Sequence, residues 1–507
     1  MKKTISLISL IFLLLVNGSF LSHAANSGKS IEGLWKGSLE IQGAKLRIIV
    51  KISKEADGTL KATVDSPDQE AMDIPLDNVT FENNTLRFEL TSAQAKYEGK
   101  LDELGDMIEG EYSQGGSSFP LILKRSDEEA QEKLKFKIPE NPFPKLKGPY
   151  PVGTHDYFWI DEGRDELLTS DPKDKRHLMV QVWYPAEKVE GAEPYPYIVN
   201  PAQYGDWKDY KIALHVKTNA VLDAPLSKKQ SKYPILIYNH GGGWMRNIAT
   251  FQTEMLANNG YVVFSIDHTG LNKTVVFPDG YKFVMDAIKE PEKTGNTYKD
   301  ALASWEYLDS IFWSGVKDIS FVIDQIEKLN NTPGNIFHGR LDMKKIGSFG
   351  WSFGGAASVQ IAKDDKRVKA VLDCDGQLFG DVAQHGIDQP VMMMHGEIEA
   401  PPPDQMSTED FEKLIKYVRE RDRSFLANTK SDRYTLKIKK SQHGSFSDLM
   451  IFFQQIPNQI DKHLAHEIIN AYTLAFFDRY LKGKKSPLLD QIPSKYTEVE
   501  FKKVKDN

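Results

Sequence analysis

The chain has 507 residues, too many for one compact core, so two or three domains are expected. Its 40% hydrophobic and 27% charged residues match ordinary soluble globular composition. A net charge of −7 supplies neither a basic footprint for nucleic acid nor a polybasic patch for an anionic membrane. The single cysteine, Cys374, excludes an intrachain disulfide and a thiolate zinc site; at the end of an apolar run it reads as a small buried residue.

Residues 1–24 read as a secretory signal peptide. Lys2 and Lys3 give a positive start, residues 5–16 a short apolar run, and Ser22 and Ala24 the small residues of a cleavage site. The run is too short for a comfortable membrane span, no cysteine follows it for a lipid anchor, and no later apolar stretch reaches about 18 residues. A secreted or periplasmic protein is expected, with no transmembrane segment after cleavage.

Residues 28–125 predict an antiparallel β accessory domain. Leu46, Ile48, Val50 and Ile52 alternate with polar neighbours, as do Leu86, Phe88 and Leu90. Turn signals at Asp57-Gly58, Asn83-Asn84, Gly105-Asp106 and Gly115-Gly116 divide the segment into seven or eight strands, enough for a small barrel or sandwich. It contains no histidine or cysteine, and its acids are scattered, so no catalytic constellation is expected there. Residues 126–148 form a charged linker that ends in Pro139, Pro142 and Pro144.

Residues 149–507 change to a strand, loop and helix rhythm. A strand over 177–183 is expected to pair with one near Tyr157. Continuous apolar runs at 234–238, 261–266, 346–349, 368–372, 391–394 and 434–438 predict strands buried on both faces. Ile319, Val322, Ile323, Ile326 and Leu329 repeat at helical spacing, as do Leu464, Ile468, Tyr472 and Phe476 before a stop at Gly483. The alternation predicts an α/β-hydrolase fold with a mostly parallel central sheet covered on both faces.

Gly350-Trp351-Ser352-Phe353-Gly354-Gly355 follows one of those strands and precedes a helix-compatible stretch, the setting of a nucleophile elbow. Such a turn strains the serine and tolerates only small residues two positions to either side. A nucleophilic serine needs a base and an acid to orient it. His443, in Gln442-His443-Gly444, follows the last predicted strand and is the expected base; His395 ends a strand one position early, and His463 and His466 read as surface residues of the final helix. Four carboxylates end the next two strands: Asp373, Asp375, Glu397 and Glu399. Position alone leaves Asp373 and Glu399 level. After the strand at 234–238 come Asn239-His240-Gly241-Gly242-Gly243-Trp244, a glycine loop fit for an oxyanion hole. Its donors would be the N–H groups of Gly242 and Phe353. Trp244 and Trp351 are candidate substrate-binding aromatics.

These residues resemble the plasma-type platelet-activating factor acetylhydrolases and their bacterial relatives. The likeness runs from Gly153-Thr154-His155-Asp156 through Gln181-Val182-Trp183-Tyr184-Pro185, Tyr238-Asn239-His240-Gly241, the elbow, Val371-Leu372-Asp373 and Gln442-His443-Gly444 to the final helix. It implies an acid after the strand that follows the elbow, which favours Asp373 over Glu399, and no metal or other cofactor. That family has leucine or a similar residue where this chain has Gly242, so the backbone role carries over more readily than the pocket shape. The expected activity is serine-dependent hydrolysis of a short acyl ester, with Ser352, Asp373 and His443 as the triad and a small-molecule, possibly lipid, ester as substrate. Acetylated glycans, aromatic esters, polyesters and peptides are rival substrates, and a hydrolase-like binding protein is the rival outside enzymes.

Overall fold

The structure, a computed structural model, describes residues 31–504 apart from 42–43, 56–57, 67–70, 103–104, 116, 127–138, 167–168, 170, 172, 200–212, 273, 285–293, 295–296, 399–405, 453–458 and 491–494. The expected signal peptide, most of the linker and Glu399 lie outside the described residues. The chain divides into two compact units, one within residues 21–137 and one chiefly within 138–507.

The first unit is a β-meander: β1 Gly33–Ile41, β2 Ala44–Lys54, β3 Leu60–Ser66, β4 Ala71–Pro75, β5 Asp77–Glu82, β6 Thr85–Leu90, β7 Ala95–Leu101, β8 Met107–Gln114 and β9 Ser117–Ser126. Its sheet order is β4-β3-β2-β1-β9-β8-β7-β6-β5, all antiparallel where paired. The two edge strands are neighbours in sequence, separated by Leu76 alone, so the sheet curls into a near-closed barrel. Alternation drives this. In β7 every second residue from Ala95 to Leu101 is buried, and Trp35, Val50, Leu86, Phe88, Tyr97, Ile108, Leu121 and Leu123 fill the interior. Trp35 donates its indole N–H to Ile31 O at 2.9 Å, and Arg125 stacks on its ring. Nine strands exceed the expected seven or eight, since no glycine or asparagine turn marks the break between β4 and β5.

The second unit carries a ten-stranded sheet in the order β12-β10-β11-β14-β13-β17-β18-β19-β20-β21. These are β10 Val152–Asp165, β11 Lys175–Pro185, β12 Ala220–Leu222, β13 Tyr233–Asn239, β14 Val262–Asp267, β17 Leu341–Trp351, β18 Val368–Cys374, β19 Val391–His395, β20 Arg433–Ile438 and β21 Val499–Val504; β15 Thr274–Val276 and β16 Lys282–Val284 make a separate hairpin. The run β14-β13-β17-β18-β19-β20 is parallel throughout. Antiparallel β10 and β11 pair Tyr157 with Val180, as expected, and β21 adds an antiparallel edge that no sequence signal announced. Every residue of β13 and β14 is buried, the consequence of helices on both faces.

The longer helices are α1 Thr250–Asn258, α2 Thr297–Asn331, α3 Phe353–Asp364, α4 Thr408–Asn428 and α5 Lys462–Lys482. The apolar repeat read at 319–329 continues backwards in α2 through Val316, Phe312, Leu308 and Trp305, all buried. In α5, Asp461 caps the N–H groups of His463 and Leu464, and Gly483 stops the helix in the left-handed region at φ 68°. Among the described residues no helix is long and apolar enough to cross a membrane.

Candidate active site

The parallel strands point their carboxyl ends at one edge of the sheet, and the functional loops leave from there. The sharpest is the turn between β17 and α3. Ser352 sits at φ 57°, ψ −125°, a conformation a non-glycine residue holds only at a cost of about 1–3 kcal/mol. A Cβ at Gly350 would run into the backbone of Gly354, and one at Gly354 into the backbone of Asn239. The small residues flanking the serine are therefore steric requirements. No side chain caps α3, so its first N–H groups face the serine with the positive end of the helix dipole behind them.

His443 opens a 3-10 turn after β20 and is buried. A reciprocal pair of bonds between Gln442 and Ser445 fixes the turn, and the Trp351 indole N–H donates to His443 O at 2.9 Å. The ring's Nδ1 lies 2.7 Å from Asp375 Oδ2. Asp375 Oδ1 accepts the Gly396 N–H at 2.9 Å, so each of its oxygens has a partner. Burial pushes this carboxyl up, but the hydrogen bond from His443 and that ring's charge outweigh it and hold it below the usual carboxylate range. Ser352 and His443 make no hydrogen bond to one another here; in resting sites that bond is often long and tightens with substrate.

The acid is therefore a correction. Asp373, the expected partner, stays within β18, paired in register with Gly350 and Met393. Its Oδ1 accepts the Gly376 N–H at 2.9 Å, its Oδ2 has no hydrogen-bond partner, and a Cβ at Gly355 or Gly376 would strike it. Burial raises its pKa well above the ordinary value, with Asp422 adding to the effect. Asp375 reaches His443 because its positive φ of 58° ends the strand and redirects the chain. Asp375-Gly376 was the available sequence signal, a turn-forming pair directly after the strand. Glu397 is exposed.

Two aromatic expectations divide. Trp351 is buried to 1% exposure and spends its polar edge on His443 O, so it holds the turn and has no open face for a ligand. Trp244 is half-buried, its ring 6.0 Å from that of Trp351. The reading of His466 as a surface residue also fails. It is buried, stacked on Phe251 at 3.8 Å with Nε2 near Ser447 O, and burial drops its pKa to about 3.

The glycine loop follows β13. A Cβ at Gly241 would press on the Trp351 ring and lie 3.2 Å from Ser352 Cβ, so the loop backbone packs directly against the serine. Gly243, at φ 77°, donates its N–H to Leu271 O at 2.6 Å. The Gly242 and Phe353 N–H groups have no acceptor among the described residues. Asp448, unnoticed in the sequence, joins this loop to the His443 turn. Its oxygens accept the N–H groups of Thr250 (2.8 Å) and Phe251 (3.1 Å), while its own N–H donates to Ile248 O.

Comparison with known proteins agrees with this geometry. A platelet-activating factor acetylhydrolase of Cavia porcellus is 25% identical over 377 residues, covering 67% of this chain and 78% of that one. A probable 1-alkyl-2-acetylglycerophosphocholine esterase of Arthroderma benhamiae is 24% identical, covering 71% and 93%. Among solved structures, the ferulic acid esterase from Streptomyces cinnamoneus superposes with a TM-score of 0.55 at 27% identity, covering 70% of this chain and 98% of that one. The family model for platelet-activating factor acetylhydrolase, isoform II, matches residues 137–277 and 323–492, more than half of the chain. A match of that extent, falling on the strands and loops around the serine turn, makes this chain a member of the platelet-activating factor acetylhydrolase, isoform II, family of α/β-hydrolases.

Proposed function

We propose that the protein is a serine-dependent carboxylic ester hydrolase that cleaves short acyl esters through an acyl-enzyme. The observation that carries this is the strained Ser352 at the β17–α3 turn, in a chain with a buried His443–Asp375 pair at the same sheet edge. His443 Nε2 takes the Ser352 proton as Oγ attacks the ester carbonyl. The Gly242 and Phe353 N–H groups hold the resulting oxyanion. His443 returns the proton to the departing alcohol, then activates water to release the acyl group. Asp375 keeps Nδ1 protonated and stabilises the imidazolium that forms in each half-reaction.

The similarity to a ferulic acid esterase, together with the half-buried Trp244, supports an aromatic ester as the second reading. Hydrolysis of p-nitrophenyl esters from acetyl to octanoyl, alongside methyl ferulate, tests both with wild type and Ser352→Ala. Serine-dependent turnover falling steeply with chain length supports the short-acyl reading, and preference for ferulate supports the second. Folded wild type that turns over none of them sinks both. The charged and apolar pattern of residues 1–24 supports export, which cell fractionation would test.

A further inference from the structure

We propose that the His240 side chain is a positioning residue that aims the Gly242 N–H, and that a buried ionic cluster around Asp318 fixes the segment that selects its tautomer. The inference rests on Gly242 being an oxyanion donor. The Gly241 C=O and the Gly242 N–H belong to one planar trans peptide group and point in opposite directions. Whatever fixes the carbonyl therefore fixes the donor.

His240 Nδ1 lies 2.7 Å from Gly241 O, and since a carbonyl oxygen can only accept, Nδ1 carries the proton. The Trp244 N–H donates to the same oxygen at 3.1 Å. His240 Nε2 accepts the backbone N–H of His268 at 3.1 Å, so it carries none. The ring is thus held neutral in one tautomer. Burial, reinforced by the neighbouring His268, drops its pKa to about 4.

The segment that supplies the His268 N–H is fixed in turn. Arg176 donates to Thr269 O at 2.7 Å, to Glu166 at 2.8 Å and through two nitrogens to Asp318 at 2.6 and 3.0 Å. Arg164 reaches Asp318 at 2.8 Å. The His268 ring lies between Asp318 Oδ2 (3.0 Å from Nδ1) and Asn239 Oδ1 (3.1 Å from Nε2). The Asn239 amide orientation follows from its neighbours. The Ser358 hydroxyl donates to Gly354 O, so it can only accept from Asn239 Nδ2, at 2.8 Å, which turns Oδ1 toward His268. Both His268 nitrogens then face acceptors. Arg176, Asp318, His268, Asn239 and His240 are all buried, so each of these bonds is shielded from water.

The test uses the full chain with p-nitrophenyl acetate. His240→Asn keeps an N–H near the Nδ1 position, whereas His240→Gln moves its donor toward Nε2 and leaves Gly241 O without one. The Gln variant should lose about 100-fold in kcat with KM within about threefold, and the Asn variant should stay within about tenfold of wild type. Equal losses in the two folded variants, or no loss in Gln, would overturn the proposal. Wild type without esterase activity would sink the underlying reading instead, before any variant is compared. Should the Gln variant not fold, long-range ¹H–¹⁵N spectra of histidine-labelled wild type decide. A ring in the Nδ1–H form that does not titrate between about pH 5 and 8 supports the inference, and the absence of any such ring removes it.

Discussion

The two units of this chain solve burial in opposite ways. Among the described residues, the barrel buries only Asp65 and Ser66 as polar side chains, and Asp65 is paired with Lys51 at 2.8 Å. The α/β unit buries Asn239, His240, Asp267, His268, Asp318, Ser352, Asp373, Asp375 with His443, and Asp448 around one sheet edge. Burying polar groups destabilises a fold unless each is matched by a partner. A unit that keeps so many of them in one place, nearly all with hydrogen bonds, marks where chemistry is done. The barrel, filled by Trp35, Leu86, Phe88, Tyr97 and Leu121, has the economy of a unit whose interior serves packing alone.

Three substitutions sharpen or break that contrast. The largest effect is expected at the acid. Asp375→Asn should lower kcat by about 10³- to 10⁴-fold through loss of the correct His443 tautomer, while Asp373→Asn stays within about tenfold. Steady-state kinetics of both variants checks this, and the reverse ranking would restore Asp373 as the acid. Next is the barrel core. Trp35→Ala should destabilise the β unit by about 3–5 kcal/mol in denaturant titration while ester turnover stays near wild type. A parallel collapse of turnover would show that the two interiors are not energetically separate.

The smallest effect concerns the charge state of Asp373. Its folded pKa is raised above the unfolded carboxyl value near 4, so above that pH the folded state holds a proton that the unfolded state has released. Stability then falls as pH rises through this window. Asp373→Asn removes the dependence, so its melting temperature relative to wild type should climb by about 2 °C or more between pH 5 and pH 8. Parallel melting curves for the two proteins at every pH would show that Asp373 does not titrate differently on folding.

By itself the sequence determined the alternating barrel strands, the fully apolar parallel strands, the serine turn and its glycines, the glycine loop after β13 and the histidine after β20. Each of these rests on local physics: side-chain period, the steric demands of a positive φ, or a motif bounded by its own strand. The tertiary structure alone decided the rest. Two aspartates two residues apart, Asp373 and Asp375, look alike along the chain, and only the strand end at φ 58° gives one to His443 and packs the other between Gly355 and Gly376. Trp351 and His466 looked like a ligand aromatic and a surface histidine until packing buried both. The bonds from His240 to Gly241, from His268 to Asp318 and from Asp448 to Thr250 join residues whose partners are set by how strands and loops meet in space. No periodicity along the chain encodes such pairings, because a buried polar group is satisfied by whichever donor or acceptor the fold brings within reach.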